Sequence, residues 1–121
     1  METPDLATFI ILPSATLLEA AKIIGGNASR TIVVVENTET KKVLGILSEG
    51  DILRALISGQ SVHAPIQEAM RVSFTYLESG KEDLEKARTL FTEHGFGLLP
   101  IVDQDMQLVS VITMLNCLRD A

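Results

Sequence analysis

Read for polarity alone, the chain runs through short apolar stretches and amphipathic ones in a fixed order, and it does so twice. Residues 9–12 (FIIL) form an apolar run closed by Pro13 and Ser14, which predicts a strand. Leu17, Ala20, Ala21 and Ile24 then recur at helical spacing with Glu19 and Lys22 on the opposite face. The spacing predicts a helix over 17–24, stopped by Gly25 and Gly26. Residues 31–35 (TIVVV) are a continuous β-branched run, the mark of a strand covered on both faces; 36–42 read as a polar turn and 43–47 as the partner strand. The stretch 45–59, GILSEGDILRALISG, changes from strand-like to helix-like through Ser48, Glu49, Gly50 and Asp51. Its helix carries Ile52, Leu53, Leu56 and Ile57 and ends at Gly59. The order is β-α-β-β-α.

Residues 60–71 mix polar side chains with Pro65 and a short apolar turn through Ile66, Ala69 and Met70, and read as a connector in which His63 is solvated. The same order then returns. Residues 74–77 predict a strand, and Ser79 with Glu82 fits a capping box opening a helix whose stripe is Leu84, Ala87, Leu90 and Phe91. His94 and Gly95 end that helix, the histidine suiting the helix dipole. Residues 98–102 and 108–112 predict two strands around a turn at 103–107, followed by a short helix from Thr113 to Arg119. Pro100 places its strand near a start or a sheet edge. Side by side, LEAA at 18–21 matches LEKA at 84–87, IVVVE at 32–36 matches LPIVD at 99–103, and VLGILSEGDILR at 43–54 matches LVSVITMLNCLR at 108–119. The expected fold is α/β (α+β): a first repeat at 8–60, a connector at 61–71 and a second repeat at 72–121, packed sheet to sheet with helices outside and pseudo-twofold symmetry.

Composition narrows the function. With 46% hydrophobic residues, the 121-residue chain has enough apolar material for a core. Its apolar runs fall far short of the ~20 residues that span a bilayer, so no membrane partner is expected. The start, METPDLATFI, is acidic where a secretory signal is basic, which predicts a cytoplasmic protein. A single cysteine, Cys117, lies among Leu115 and Leu118 and reads as a small buried hydrophobe. Ten Lys and Arg against sixteen Asp and Glu give a net charge of −6, and there is no tryptophan and one tyrosine, so nucleic acid is not an expected partner. The apolar helix faces exceed what one small lobe buries and predict a homodimer.

The chemistry concentrates at Ser48 and Asp51. Their spacing before an apolar run fits a capping box with Asp in place of Glu, the commoner use of this pattern. A helix N-terminus beside a hydroxyl and a carboxylate also suits a phosphate and the two hydroxyls of a ribose. No GxxxxGK[ST] loop, HExxH helix or clustered metal ligands occur, so neither catalytic residues nor a metal are expected.

These residues together resemble the cystathionine β-synthase (CBS) domain pair, or Bateman module, over nearly the whole chain. That family's closing motif is Gly, two apolar residues, Ser or Thr, two residues, then Asp; Gly45, Ile46, Leu47, Ser48 and Asp51 fit it, while the second copy has Ser110 for the Gly and Asn116 for the Asp but keeps the hydroxyl at Thr113. The resemblance implies a regulatory module that senses an adenosine-type nucleotide (AMP, ADP, ATP or S-adenosylmethionine) in the cleft between repeats. On that basis Asp51 holds the ribose, Ser48 and the helix start at Gly50 hold a phosphate, Ile11, Ile32 and Val33 are the positions whose backbone lines the adenine while the Ile32 and Val33 side chains pack in the core, and Arg30 adds a positive charge. Thr75, Leu99, Pro100, Thr113 and Asn116 are the positions of a second site. The stretch SEGDILRALISG with HAPIQEAM further resembles CBS pairs attached to sugar-phosphate nucleotidyltransferases and isomerases, implying an attached or partner enzyme. The competing expectation is a dimerisation or interaction module with no small ligand.

Overall fold

A computed structural model describes residues 6–119; the acidic first five residues and the end of the second repeat at residue 121 lie outside the described residues. The elements are β1 (Ile10–Ile11), α1 (Leu17–Gly26), β2 (Thr31–Val35), β3 (Val43–Ser48), α2 (Glu49–Ile57), β4 (Leu77–Glu78), α3 (Leu84–His94), β5 (Leu98–Val102), β6 (Leu108–Thr113) and α4 (Met114–Arg119). They form two three-stranded sheets, β1-β2-β3 and β4-β5-β6, each with one parallel and one antiparallel pairing. The duplicated order expected from the sequence is the order observed.

Alternation along the central strand explains the layers. In β2, Ile32 and Val34 point to the helices and join Leu17, Ala20 and Ile24 of α1 and Ile52 and Ala55 of α2 in one core. Val33 and Val35 point the other way and pack with Val43, Leu98, Val102, Leu108 and Val111 between the sheets. Every residue of β2 and β5 is buried, as their unbroken apolar runs require. A third core, with Leu99, Ile101 and Ile112 against Ala87, Phe91 and Cys117, lies under α3 and α4. At one end the two hairpin turns bond directly, Val43 N to Met106 O at 2.8 Å and Leu108 N to Lys41 O at 2.8 Å.

Three local expectations are corrected. First, α3 does not open on Ser79 and Glu82. Its N-cap is Asp83, whose Oδ1 accepts from the N–H groups of Glu85 and Lys86, while Glu82 accepts from Gly80 N within the preceding turn. Second, Pro100 sits in the middle of the central strand β5, opposite Val111. Third, β4 is only Leu77–Glu78, with residues 74–76 off the sheet. The last two have one cause. In the first sheet Val33 N donates to Phe9 O at 2.7 Å, extending contact with the β1 side. The equivalent position in the second sheet is Pro100, which has no N–H to offer Thr75, so the segment before Leu77 leaves the sheet.

The connector is tied to the first repeat. Leu17 N and Leu18 N donate to Ala64 O and Val62 O, and Ile66 N to Ala15 O, all at 2.9 Å. Ile66 opens a short 3-10 turn and is wholly buried in the first core. Further on, Arg71 N donates to Ile46 O at 2.8 Å and Ile46 N to Arg71 O at 2.9 Å, so the segment lies along β3. Gly45 permits this approach: a Cβ there would stand 2.6 Å from Arg71 O.

Candidate functional site

Strand β3 delivers Ser48 to the mouth of α2. Ser48 is the N-cap, its Oγ accepting from Asp51 N at 3.2 Å, while Asp51 Oδ2 accepts from Ser48 N at 2.9 Å and Ser48 Oγ at 2.8 Å. The capping box read from the sequence is therefore formed. The other carboxylate oxygen, Oδ1, accepts from Arg54 Nη2 at 2.6 Å and Arg71 Nε at 2.9 Å. Burial raises the Asp51 carboxyl, its side chain being only 5% exposed, but the Ser48 N–H, the Ser48 hydroxyl and the Arg71 and Arg54 guanidiniums outweigh it and hold the group below the usual carboxylate value. Arg54 and Arg71 themselves are more than half exposed.

The other helix start is plainer. Thr113 Oγ1 accepts from Asn116 N at 3.1 Å. The first N–H of each helix is also used in the same way in both repeats: Glu49 N donates to Arg30 O at 3.0 Å and Met114 N to Gly97 O at 3.2 Å. Of the first three N–H groups of α2, only that of Gly50 has no protein partner among the described residues.

Besides the hairpin turns, the repeats meet where residues 27–31 face residues 95–97. A Cβ on Gly97 would fall 1.9 Å from Ser29 O, so only glycine fits. Asn27 shapes the facing loop. Its Oδ1 accepts from Ser29 N and Arg30 N, its Nδ2 donates to Thr31 O at 2.9 Å, and Ala28 and Arg30 adopt left-handed backbone between them. Two cavities share the border formed by Thr31, Ser48 and residues 95–97. The larger, about 700 Å³, is walled by Arg30, Glu49 and Gly50 from the first repeat and Thr113 and Asn116 from the second. The smaller, about 370 Å³, holds Asp51 and Arg71 against Phe74, Thr75, Phe96 and Leu99. Both lie in the volume range of small-molecule sites.

The expected residues thus divide differently from the two sites read in the sequence. Ser48 borders both cavities, Asp51 joins Thr75 and Leu99 in the smaller, and Gly50 and Arg30 join Thr113 and Asn116 in the larger. Arg30 lies near Glu49, at 3.9 Å, and does not reach the Asp51 cavity. Ile11, Ile32, Val33 and Pro100 border neither cavity: the first three are core side chains, and Pro100 is buried in β5. Sequence reasoning missed Arg71, Arg54, Asn27 and the aromatic pair His94 and Phe96, whose rings stack at 5.3 Å. Arg71 carried no local signal, since it stands in a connector and meets Asp51 across twenty residues.

The sequence profile of the CBS domain matches residues 4–58 and 66–120. The chain belongs to the CBS-domain family. As a CBS pair it is 35% identical over 115 residues to the CBS domain-containing protein YhcV of Bacillus subtilis, covering 93% of this chain and 76% of that protein. It is 28% identical over 74 residues to arabinose 5-phosphate isomerase GutQ of Escherichia coli, 61% of this chain but only 23% of that enzyme. Among solved structures, AcuB of Vibrio cholerae superposes with a TM-score of 0.78 at 27% identity, over 93% of this chain and 81% of that one. CBSX2 in complex with AMP superposes at 0.77 with 22% identity, over 98% and 90%, a likeness of fold. Among the described residues no three His, Cys, Asp or Glu side chains cluster as metal ligands, and no helix is long and apolar enough to cross a membrane.

Proposed function

We propose that this CBS pair is a regulatory, non-catalytic module that binds an adenosine-type nucleotide between its repeats and controls an attached or partner enzyme. The observation that carries the reading is the company Asp51 keeps. A carboxylate held in its ionised form, a hydroxyl at Ser48 and an arginine line one cavity together with Phe74, Phe96 and Leu99. A carboxylate beside a hydroxyl suits a ribose, an arginine suits a phosphate, and an aromatic and aliphatic wall suits a purine face. That a fold-level neighbour was solved with AMP supports the same ligand class. The partner enzyme is the more general part of the proposal, supported by the segment shared with a sugar-phosphate isomerase; a sugar-phosphate nucleotidyltransferase is the alternative partner.

A second reading, a scaffold for self-association without a ligand, is favoured by one observation: Asp51 already has four donors in the protein itself. Thermal unfolding with AMP, ADP, ATP and S-adenosylmethionine separates the two. A ligand at a hundredfold excess over its Kd adds about 2.7 kcal/mol of stability, a shift of several degrees, whereas a scaffold shows none. In calorimetric titrations Asp51→Ala should lose about 1.5–3 kcal/mol of binding and Asn116→Ala less, because a neutral amide holds hydroxyls more weakly than a carboxylate. Equal affinity of folded wild type and Asp51→Ala leaves Ser48 and Asp51 as a helix cap.

A further inference from the structure

A carboxylate offers about four lone-pair positions, and those of Asp51 are all taken: Ser48 N and Oγ at Oδ2, Arg54 Nη2 and Arg71 Nε at Oδ1. A ribose can therefore reach Asp51 only by displacing a donor. The Ser48 bonds belong to the start of α2 itself. Arg54, three residues along the same helix, borders neither cavity, whereas Arg71 lines the smaller one with Asp51. The backbone of Arg71 is anchored on β3 through both bonds to Ile46 in the slot left by Gly45, while its side chain is 54% exposed. The main chain is thus fixed and the guanidinium has room to turn.

Resting on the nucleotide reading above, we infer that Arg71 is the exchangeable donor of this site: a ribose hydroxyl takes its place at Asp51 Oδ1, and the released guanidinium pairs with the ligand's phosphate. Arg71 is then both a resident competitor and a counter-ion. An unphosphorylated nucleoside must break the Asp51–Arg71 pair and leave the arginine without an anion. A nucleotide exchanges one charge-assisted contact for another, and a guanidinium matches phosphate oxygens two at a time. The site accordingly selects 5′-phosphorylated adenosine over adenosine.

The test is calorimetric titration of adenosine and of AMP into wild type, Arg71→Met and Arg71→Lys, each checked for folding by circular dichroism and thermal unfolding. Wild type should bind AMP at least tenfold more tightly than adenosine. Arg71→Met should bind adenosine several-fold more tightly than wild type does and AMP at least tenfold more weakly, so that the preference collapses. Arg71→Lys, which keeps the charge but not the planar fork, should retain a reduced preference and serves as the comparison if the Met variant does not fold. Wild type that binds AMP, with variants in which both ligands shift by the same factor, overturns the exchange and leaves the nucleotide reading standing. Wild type that binds neither adenosine nor any adenine nucleotide overturns both.

Discussion

Asp51 shows how one residue serves folding and the candidate site at once. Its capping-box half was legible from the spacing S-x-x-D, because an N-cap and the N3 position lie within one turn and their bonds are local. Its ion-pair half was not, because Arg71 arrives from another segment. A pH prediction follows from the direction of the shift. The folded carboxyl titrates below its unfolded value of about 3.9, so its contribution is fully present above that value and is lost as pH falls through the lower folded one. At pH 7, Asp51→Asn should cost roughly 1.5–3 kcal/mol, the range for hydrogen bonds to a charged group. The gap between wild type and variant should stay constant from pH 7 to 5 and narrow below about pH 4. Chemical denaturation of both proteins across that range checks it; a gap that widens on acidification contradicts the assignment.

Among the elements, β4 is the informative one. The two repeats are nearly superposable in register, Val34 with Gly45 in one and Ile101 with Ser110 in the other. They differ where a valine donates an N–H and a proline has none, and the unpaired segment that results supplies Phe74 and Thr75 to the smaller cavity. Pro100→Val should restore the missing donor and draw residues 74–76 toward β5. Hydrogen exchange should then show a slowly exchanging amide at position 100, and nucleotide affinity should fall because the cavity narrows. Rapid exchange at that amide would show that something other than the proline keeps the segment off the sheet. The position of Pro100 in a central strand ran against the sequence expectation for a physical reason: proline is excluded only where its N–H is needed, and here the neighbour on that side begins one residue later.

At the scale of the molecule, the sheets bury each other and the helices lie outside, leaving apolar side chains on α2 and α4. Ile57 is 84% exposed and Leu53 52%, with Leu115 and Met114 on the other helix similarly open. A second copy of the chain covering this face is the association expected of helices more apolar than one lobe needs. Light scattering at tens of micromolar should give twice the monomer mass. Ile57→Asp should return it to the monomer mass with its circular dichroism unchanged, since that side chain touches no core. A monomeric wild type at that concentration rules the dimer out.

What the sequence by itself determined is the duplicated β-α-β-β-α order, the buried character of β2, the end of α3 at His94 and Gly95 and the cap at Ser48, whereas α1 runs through Gly25 and Gly26, against the stop expected there. These rest on periodicity and on contacts within one turn, where neighbours in the chain are neighbours in space. The beginnings of β4 and α3 escaped because an N–H partner in another strand decides the first, and a stronger local cap at Asp83 outcompetes Ser79 and Glu82 in the second. Only the tertiary structure decided which candidate residues share a cavity. It joined Asp51 to Thr75 and Leu99 of the other repeat, kept Ile11, Ile32 and Val33 off both cavities, and brought Arg71 onto Asp51 through a glycine that lets two backbones touch. Each of those outcomes depends on how two lobes and a connector close on one another, and no spacing along a single chain encodes that distance.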